Sequence, residues 1–189
     1  MLKLVEWDPN LRLTDFYRTA EQKGFLNNSS QSAMVDCFRT ESSWNVWILY
    51  QNEVAVGSVA AHTFDDVMGE DSYRILSRVC VFPEITLQDK GLVSPYKRIQ
   101  THQHVTDQYF MPACIEWAKS DKLYATSNDS KVGKQRLVHN VYFPTLEKMG
   151  VAKKVKDVFY RGINQTVWQI YPEEFYTSLN KFPKWSEQV

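Results

Sequence analysis

The sequence predicts an α+β fold: a mixed, mostly antiparallel central sheet flanked by helices. Three observations carry this. Three strand-like stretches, Trp44–Tyr50, Val54–Phe64 and Tyr73–Phe82, come before the first long helical stretch, which excludes a plain alternating doubly wound pattern. A second pair of strand-like stretches, Lys154–Gly162 and Gln165–Tyr171, closes the chain as a hairpin. Between them the pattern alternates helix, strand, helix. The expected order is β-α-α-β-β-β-α-β-α-β-β, in one domain over residues 1–171 with a C-terminal extension, 172–189, packed on it.

Each element has a local reason. Leu2–Glu6 reads as a first strand. Thr14 or Asp15 can cap a helix that Gly24 would stop, with Phe16, Tyr17 and Ala20 facing inward. Ser32–Thr40 reads as a second short helix after the polar loop Asn27–Ser32. Trp44-Asn-Val-Trp-Ile-Leu-Tyr50 is rich in β-branched and aromatic residues, Gln51-Asn52-Glu53 makes a tight turn, and Val54–Phe64 resumes as a strand, so a hairpin is expected. Asp65–Asp71 is an acidic loop, and Tyr73–Phe82 a further strand closed by Pro83. Ser94-Pro95 places a capping residue before proline, a good helix start, and the helix runs to about Lys119 with Pro112 expected to kink or split it. Leu123–Ser127 is a short strand. A second long helix is expected from Asn128 to Gly150, distorted by Pro144. The tail carries Phe175, Tyr176, Phe182 and Trp185.

Composition excludes several classes. The 22 Lys+Arg balance 22 Asp+Glu, which argues against nucleic-acid binding by counterion release and against a pull toward anionic membranes. With 43% hydrophobic and 14% aromatic residues the chain is not disordered. A chain this long buries roughly 70% of its unfolded surface, so it needs no disulfide or metal to hold a core. Three widely spaced cysteines, Cys37, Cys80 and Cys114, make neither a disulfide framework nor a zinc ribbon. With no signal-peptide pattern at Met1–Asp8 and no long apolar run, the expected home is the cytoplasm. His102, His104 and Asp107 have ligand chemistry, but residues two apart on a helix diverge by about 200°, so no metal is expected. No GxSxG, HExxH or Walker pattern is present.

Two segments then carry a resemblance. Arg78-Val-Cys-Val-Phe-Pro83 is followed by Gln88-Asp-Lys-Gly91-Leu-Val93, and Leu146-Glu-Lys-Met-Gly150-Val precedes the closing hairpin. With the order of elements, they resemble the GCN5-related N-acetyltransferase (GNAT) superfamily. There a central strand leads into Gln/Arg-x-x-Gly-x-Gly/Ala at a helix start, and the last helix ends in Tyr-Glu-Lys-Leu-Gly-Phe. Val93 stands where the family has Gly or Ala, Leu146 where it has tyrosine, and residues 84–87 lengthen the loop.

The resemblance implies a GNAT-like acyl-CoA N-acyltransferase fold and acetyl-CoA as co-substrate. The acceptor would be a small-molecule or peptide amine that attacks the thioester directly in a ternary complex. Backbone N–H groups of Gln88, Lys90, Gly91, Leu92 and Val93, ahead of a helix N-terminus, suit a diphosphate. Val79, Cys80 and Val81, facing Leu123–Ser127 across a gap between splayed strands, would hold the pantetheine arm, and an N–H there would stabilise charge on the carbonyl oxygen. Asn128 and Asn140 would contact the coenzyme. Glu84 or His62 could take the amine proton. With Leu146 unable to donate, Tyr142, one turn earlier, is the candidate acid. A non-catalytic binding module of the same fold is the alternative. A homodimer through the terminal hairpin is possible.

Overall fold

The hairpin of β2 (Trp44–Gln51) and β3 (Val54–Thr63) is the frame of the sheet. Its turn residues, Asn52 and Glu53, have φ of 50° and 67°. Two left-handed residues in a two-residue loop match the twist of the flanking strands. The computed structural model describes residues 1–7, 12–22, 44–63, 68, 73–82, 97–119, 122–128, 137–160 and 163–184. The expected helix at Ser32–Thr40, the loop 83–93, the Ser94-Pro95 helix start and Trp185 lie outside these residues.

Around the hairpin, β1 (Leu2–Glu6), β4 (Tyr73–Val81), β5 (Leu123–Ser127), β6 (Ala152–Tyr160) and β7 (Ile163–Ile170) complete a seven-stranded sheet of order β1-β2-β3-β4-β5-β7-β6. Every neighbouring pair is antiparallel except β4 and β5, which run parallel. The sheet is therefore mixed and mostly antiparallel, as the sequence predicts.

Helices cover both faces. Tyr73 and Ile75 share a face with their register partners Leu123 and Ala125, and Trp168 shares it as partner of Ala125. Trp117 of α3 (Met111–Ala118) meets Tyr73 and Trp47 edge-on, at ring separations of 5.8 and 6.2 Å. Phe143 of α4 (Phe143–Lys148) stacks on Trp168 at 5.3 Å. Both helices therefore lie on this face, as two right-handed crossovers in the same direction require. On the other face α1 (Leu13–Gln22) buries Leu13, Phe16, Tyr17 and Ala20, and Phe16 stacks on Phe82 at 5.1 Å. Thr14 and Asp15 lie inside the first turn of α1 rather than at its cap; the N–H groups of Asp15 and Phe16 donate to the Arg12 carbonyl.

Neither interior proline breaks its helix. α2 (Lys97–Val105) runs into a π-helical segment, Thr106–Phe110, and on into α3, with Phe110 and Met111 in right-handed helical conformation. The same happens before α4, where Val138–Tyr142 is π-helical. In each case an i→i+5 bond (Met111 N–H to Thr106 O, Phe143 N–H to Val138 O) stands just ahead of the proline. The wider turn relaxes the crowding between the pyrrolidine ring and the preceding turn, which in a regular helix would force a kink. α4 ends as expected at Gly150, φ 72°, with Gly150 N–H on Glu147 O and Val151 N–H on Leu146 O. This paired closure satisfies the last carbonyls. After β7, α5 (Pro172–Ser178) and a 3₁₀ turn (Leu179–Lys181) bring Phe175 into the core and Phe182 against it at 5.5 Å. No described helix is long and apolar enough to cross a membrane.

Candidate active site

The central strand β4 is bent by two extra residues. Against β3 its register slips once between Ser58 and Ala60 and again between Ala60 and His62, each time with the additional residue on β4. Leu76, in the second slip, has φ 56°. A bulge bends its strand and increases the local twist, and β4 turns away from β5. The parallel pairing is confined to Tyr73–Leu123, Arg74–Tyr124 and Ile75–Ala125; among the described residues none joins Leu76–Val81 to β5. The two central strands therefore open at their C-terminal ends.

Val79, Cys80 and Val81 lie along this open stretch. Phe82 N–H donates to Val56 O, and residues alternate along a strand, so the backbone of Val81 faces the side that β5 has left; Val79 lies in the first slip. Cys80 faces β3 and is buried, its Sγ 3.2 Å from Ser58 Oγ. Gly57 lets β3 come this close: a Cβ there would lie 2.8 Å from the Cys80 carbonyl oxygen and 3.5 Å from the Phe110 ring.

The helix on this side buries polar groups among its apolar ones. Cys114 is buried, which pushes its thiol up to about 12, and the Leu76 N–H donates to its sulfur. The displaced bulge residue thus has a partner for its amide. Asp107, in the first π segment, is buried; desolvation lifts its carboxyl to about 7 although Tyr142 and Gln103 side chains donate toward it. Its Oδ1 has no close partner among the described residues. Gln103 also donates to Pro183 O at 2.9 Å, tying the C-terminal segment to this cluster. Burial and the Asp107 charge hold the Tyr142 hydroxyl well above its ordinary range. Its ring packs on Phe143 at 5.4 Å.

At the end of β5, Trp168 Nε1–H donates to Ser127 Oγ at 2.9 Å, and the same oxygen lies 2.9 Å from His139 Nδ1. Asn128 follows the strand, half-buried, and Asn140 is exposed on the second π segment.

The structure thus brings Val79, Cys80, Val81 and Asn128 to the opening. His62 is buried on β3 beside Arg74, at the closed end of β4. Tyr142 faces Asp107 in the contact between the two helices. Glu84, Gln88, Lys90, Gly91, Leu92 and Val93 lie outside the described residues. His102 and His104 diverge: His102 Nδ1 meets Thr106 Oγ1 at 3.3 Å, and His104 packs on Tyr109 at 5.9 Å. Among the described residues no group of three or more His, Cys, Asp or Glu could hold a metal. The sequence names Ser127 only as the end of the strand lining the gap and does not single out His139, since their pairing spans a strand and a helix and follows no motif. Asp107 enters the sequence reading only as a metal ligand weighed and set aside, since nothing local signals its burial.

Solved structures share this fold. An acetyltransferase from Streptococcus agalactiae superposes with a TM-score of 0.54 at 16% identity, over 90% of this chain and 98% of its own. A GNAT family acetyltransferase from Elizabethkingia anophelis, with acetyl-CoA bound, gives 0.51 at 9% identity over 90% and 97%. The chain has the GNAT fold. A nucleotide-linked sugar GNAT matches over 97% of this chain and 94% of its own, with a TM-score of 0.56 at 12% identity. No protein-family model matches the sequence, and no curated protein matches it significantly.

Proposed function

We propose that this chain is an acetyl-CoA-dependent N-acyltransferase acting on a small-molecule or peptide amine, by direct attack in a ternary complex. The observation that carries the reading is the C-terminal stretch of β4, Leu76–Val81, which among the described residues pairs with β3 but not with β5, in a chain of GNAT fold. One similar structure holds acetyl-CoA. Bound there, the coenzyme would supply a thioester activated for acyl transfer. Val79 and Val81 would hold its pantetheine arm by backbone hydrogen bonds, with Cys80 behind them. Gln88, Lys90, Gly91, Leu92 and Val93 would take the diphosphate on backbone N–H groups and one ammonium. Asn128 and Asn140 would border the same site. Glu84 would receive the proton that the amine loses, since His62 is buried at the closed end of β4. Positioning of the two reactants supplies much of the acceleration in a reaction of this kind.

A second reading, a non-catalytic module that binds the same coenzyme, is favoured by Leu146. It is fully buried, so an apolar core residue stands where the resemblance calls for tyrosine. Thermal unfolding with acetyl-CoA tests the coenzyme claim common to both. A ligand present at a hundredfold excess over its Kd stabilises the folded state by about 2.7 kcal/mol, a Tm rise of roughly 5–10 °C for a chain of this size. No rise at millimolar coenzyme overturns both readings. A rise without release of free thiol, across a panel of amines, favours the module.

A further inference from the structure

Trp168, Ser127 and His139 join β7, β5 and the second π segment at the mouth of the opening. Ser127 lies two residues beyond Ala125, the last residue of β5 paired with β4, so its side chain stands on the wall of the gap on the helix-covered face. Its Oγ receives the Trp168 Nε1–H at 2.9 Å and lies 2.9 Å from His139 Nδ1. An indole nitrogen can only donate, so Trp168 occupies one lone pair of the hydroxyl. The other is open to an Nδ1–H of the charged imidazole. The 2.9 Å contact suits either direction, Nδ1–H to the hydroxyl or hydroxyl to Nδ1, and a ring protonated at Nδ1 leaves Nε2 as the nitrogen that gains and loses a proton. Nε2 has no hydrogen-bond partner among the described residues.

Charge around the ring fits this role. Asp157 on β6 lies within electrostatic reach of His139, and its carboxyl is held below the usual range by hydrogen bonds from Lys154 and Thr166, then by the charges of Lys154 and His139. Thr166 Oγ1 donates to Asp157 Oδ1 at 2.7 Å, and Lys154 Nζ to Oδ2 at 2.8 Å. The carboxylate therefore stays ionised. Tyr142, one turn further along the helix, is held by burial in a form that gives up its proton reluctantly.

We infer that His139 is the proton donor to the departing sulfur, with Ser127 and Trp168 as positioning residues; this rests on the acyltransferase reading above. As the nitrogen–carbon bond forms and the carbon–sulfur bond breaks, His139 passes the Nε2 proton to sulfur, and free thiol leaves. The amine's surplus proton goes to the base of the acyltransferase reading, and solvent reprotonates Nε2.

Histidine-ring NMR with two probes tests this: coenzyme A, and desulfo-coenzyme A, which lacks the sulfur. The chain has four histidines, and His139→Gln identifies the His139 signals by their loss. Both probes are expected to raise Tm, but only coenzyme A to move the His139 ring resonances. If coenzyme A raises Tm and leaves His139 still, or if both probes move it equally, the inference falls while the coenzyme reading stands. If neither probe raises Tm, the acyltransferase reading falls and takes this inference with it. The same His139→Gln variant should keep its Tm rise with acetyl-CoA yet release thiol about 100-fold more slowly. Ser127→Ala should weaken the NMR response to coenzyme A without abolishing the Tm rise; an unchanged response removes Ser127 from the positioning role.

Discussion

Between Tyr73 and Ile75, β4 is paired on both sides, with β3 and with β5; between Leu76 and Val81 its only strand partner among the described residues is β3. The surroundings of the two stretches differ. The closed half rests on an aromatic trio, Trp47, Tyr73 and Trp117, packed edge-to-face. The open half adds polar contacts, Ser58 Oγ on Cys80 Sγ and Leu76 N–H on the Cys114 sulfur, to the rings of Phe110 beside Gly57 and Phe16 on Phe82. The physical reason is hydrogen-bond bookkeeping. Where a neighbouring strand satisfies the backbone, apolar side chains can fill the space around it. Where a bulge has displaced the backbone, polar groups have to meet it.

The comparison is sharpened most by Asp107. Its folded-state carboxyl titrates at about 7 against an ordinary 3.8, so between these values the unfolded chain ionises while the folded one holds its proton. Stability from this group is therefore fully present below about pH 4 and is lost as pH rises to about 7, by up to about 4 kcal/mol. Asp107→Asn should remove that loss: urea unfolding should show the variant gaining on the parent from pH 5 to pH 8. A constant difference across that range means the carboxyl is not the buried acid described. In the closed half, Trp117→Ala should cost about 3 kcal/mol by leaving a cavity beside Tyr73 and Trp47, with the Tm rise on adding acetyl-CoA preserved. Loss of that rise in a folded variant would erase the distinction between the halves. Gly57→Ala presses a Cβ to 2.8 Å from the Cys80 carbonyl, a backbone atom that cannot swing aside. It should cost about 2 kcal/mol, read from the urea midpoint. A neutral outcome would mean that β3 does not brace the open half of β4.

Much of the closed half was legible in the sequence. Trp44–Tyr50 and Val54–Phe64 announce a hairpin by residue type, and Asn52 stands at a turn position that tolerates positive φ. Gly150 likewise marks the helix end that it closes. The open half was less legible. Leu76 is left-handed although nothing in a leucine signals it, because the bulge is set by register between strands. Pro112 and Pro144 suggest breaks, yet the relief comes from π turns that no residue pattern announces. Asp107, Ser127 and His139 meet their partners only through tertiary packing. The site residues from Glu84 to Val93 rest on a sequence resemblance alone.

Amide hydrogen exchange, residue by residue along β4, tests the opening most directly. With the seam open, exchange at residues 77–81 should be faster than at 73–75 in the free protein, and acetyl-CoA should slow it selectively at 77–81 and at the end of β5. Equal protection of both halves without coenzyme, or no change on adding it, would contradict an opening that holds the thioester.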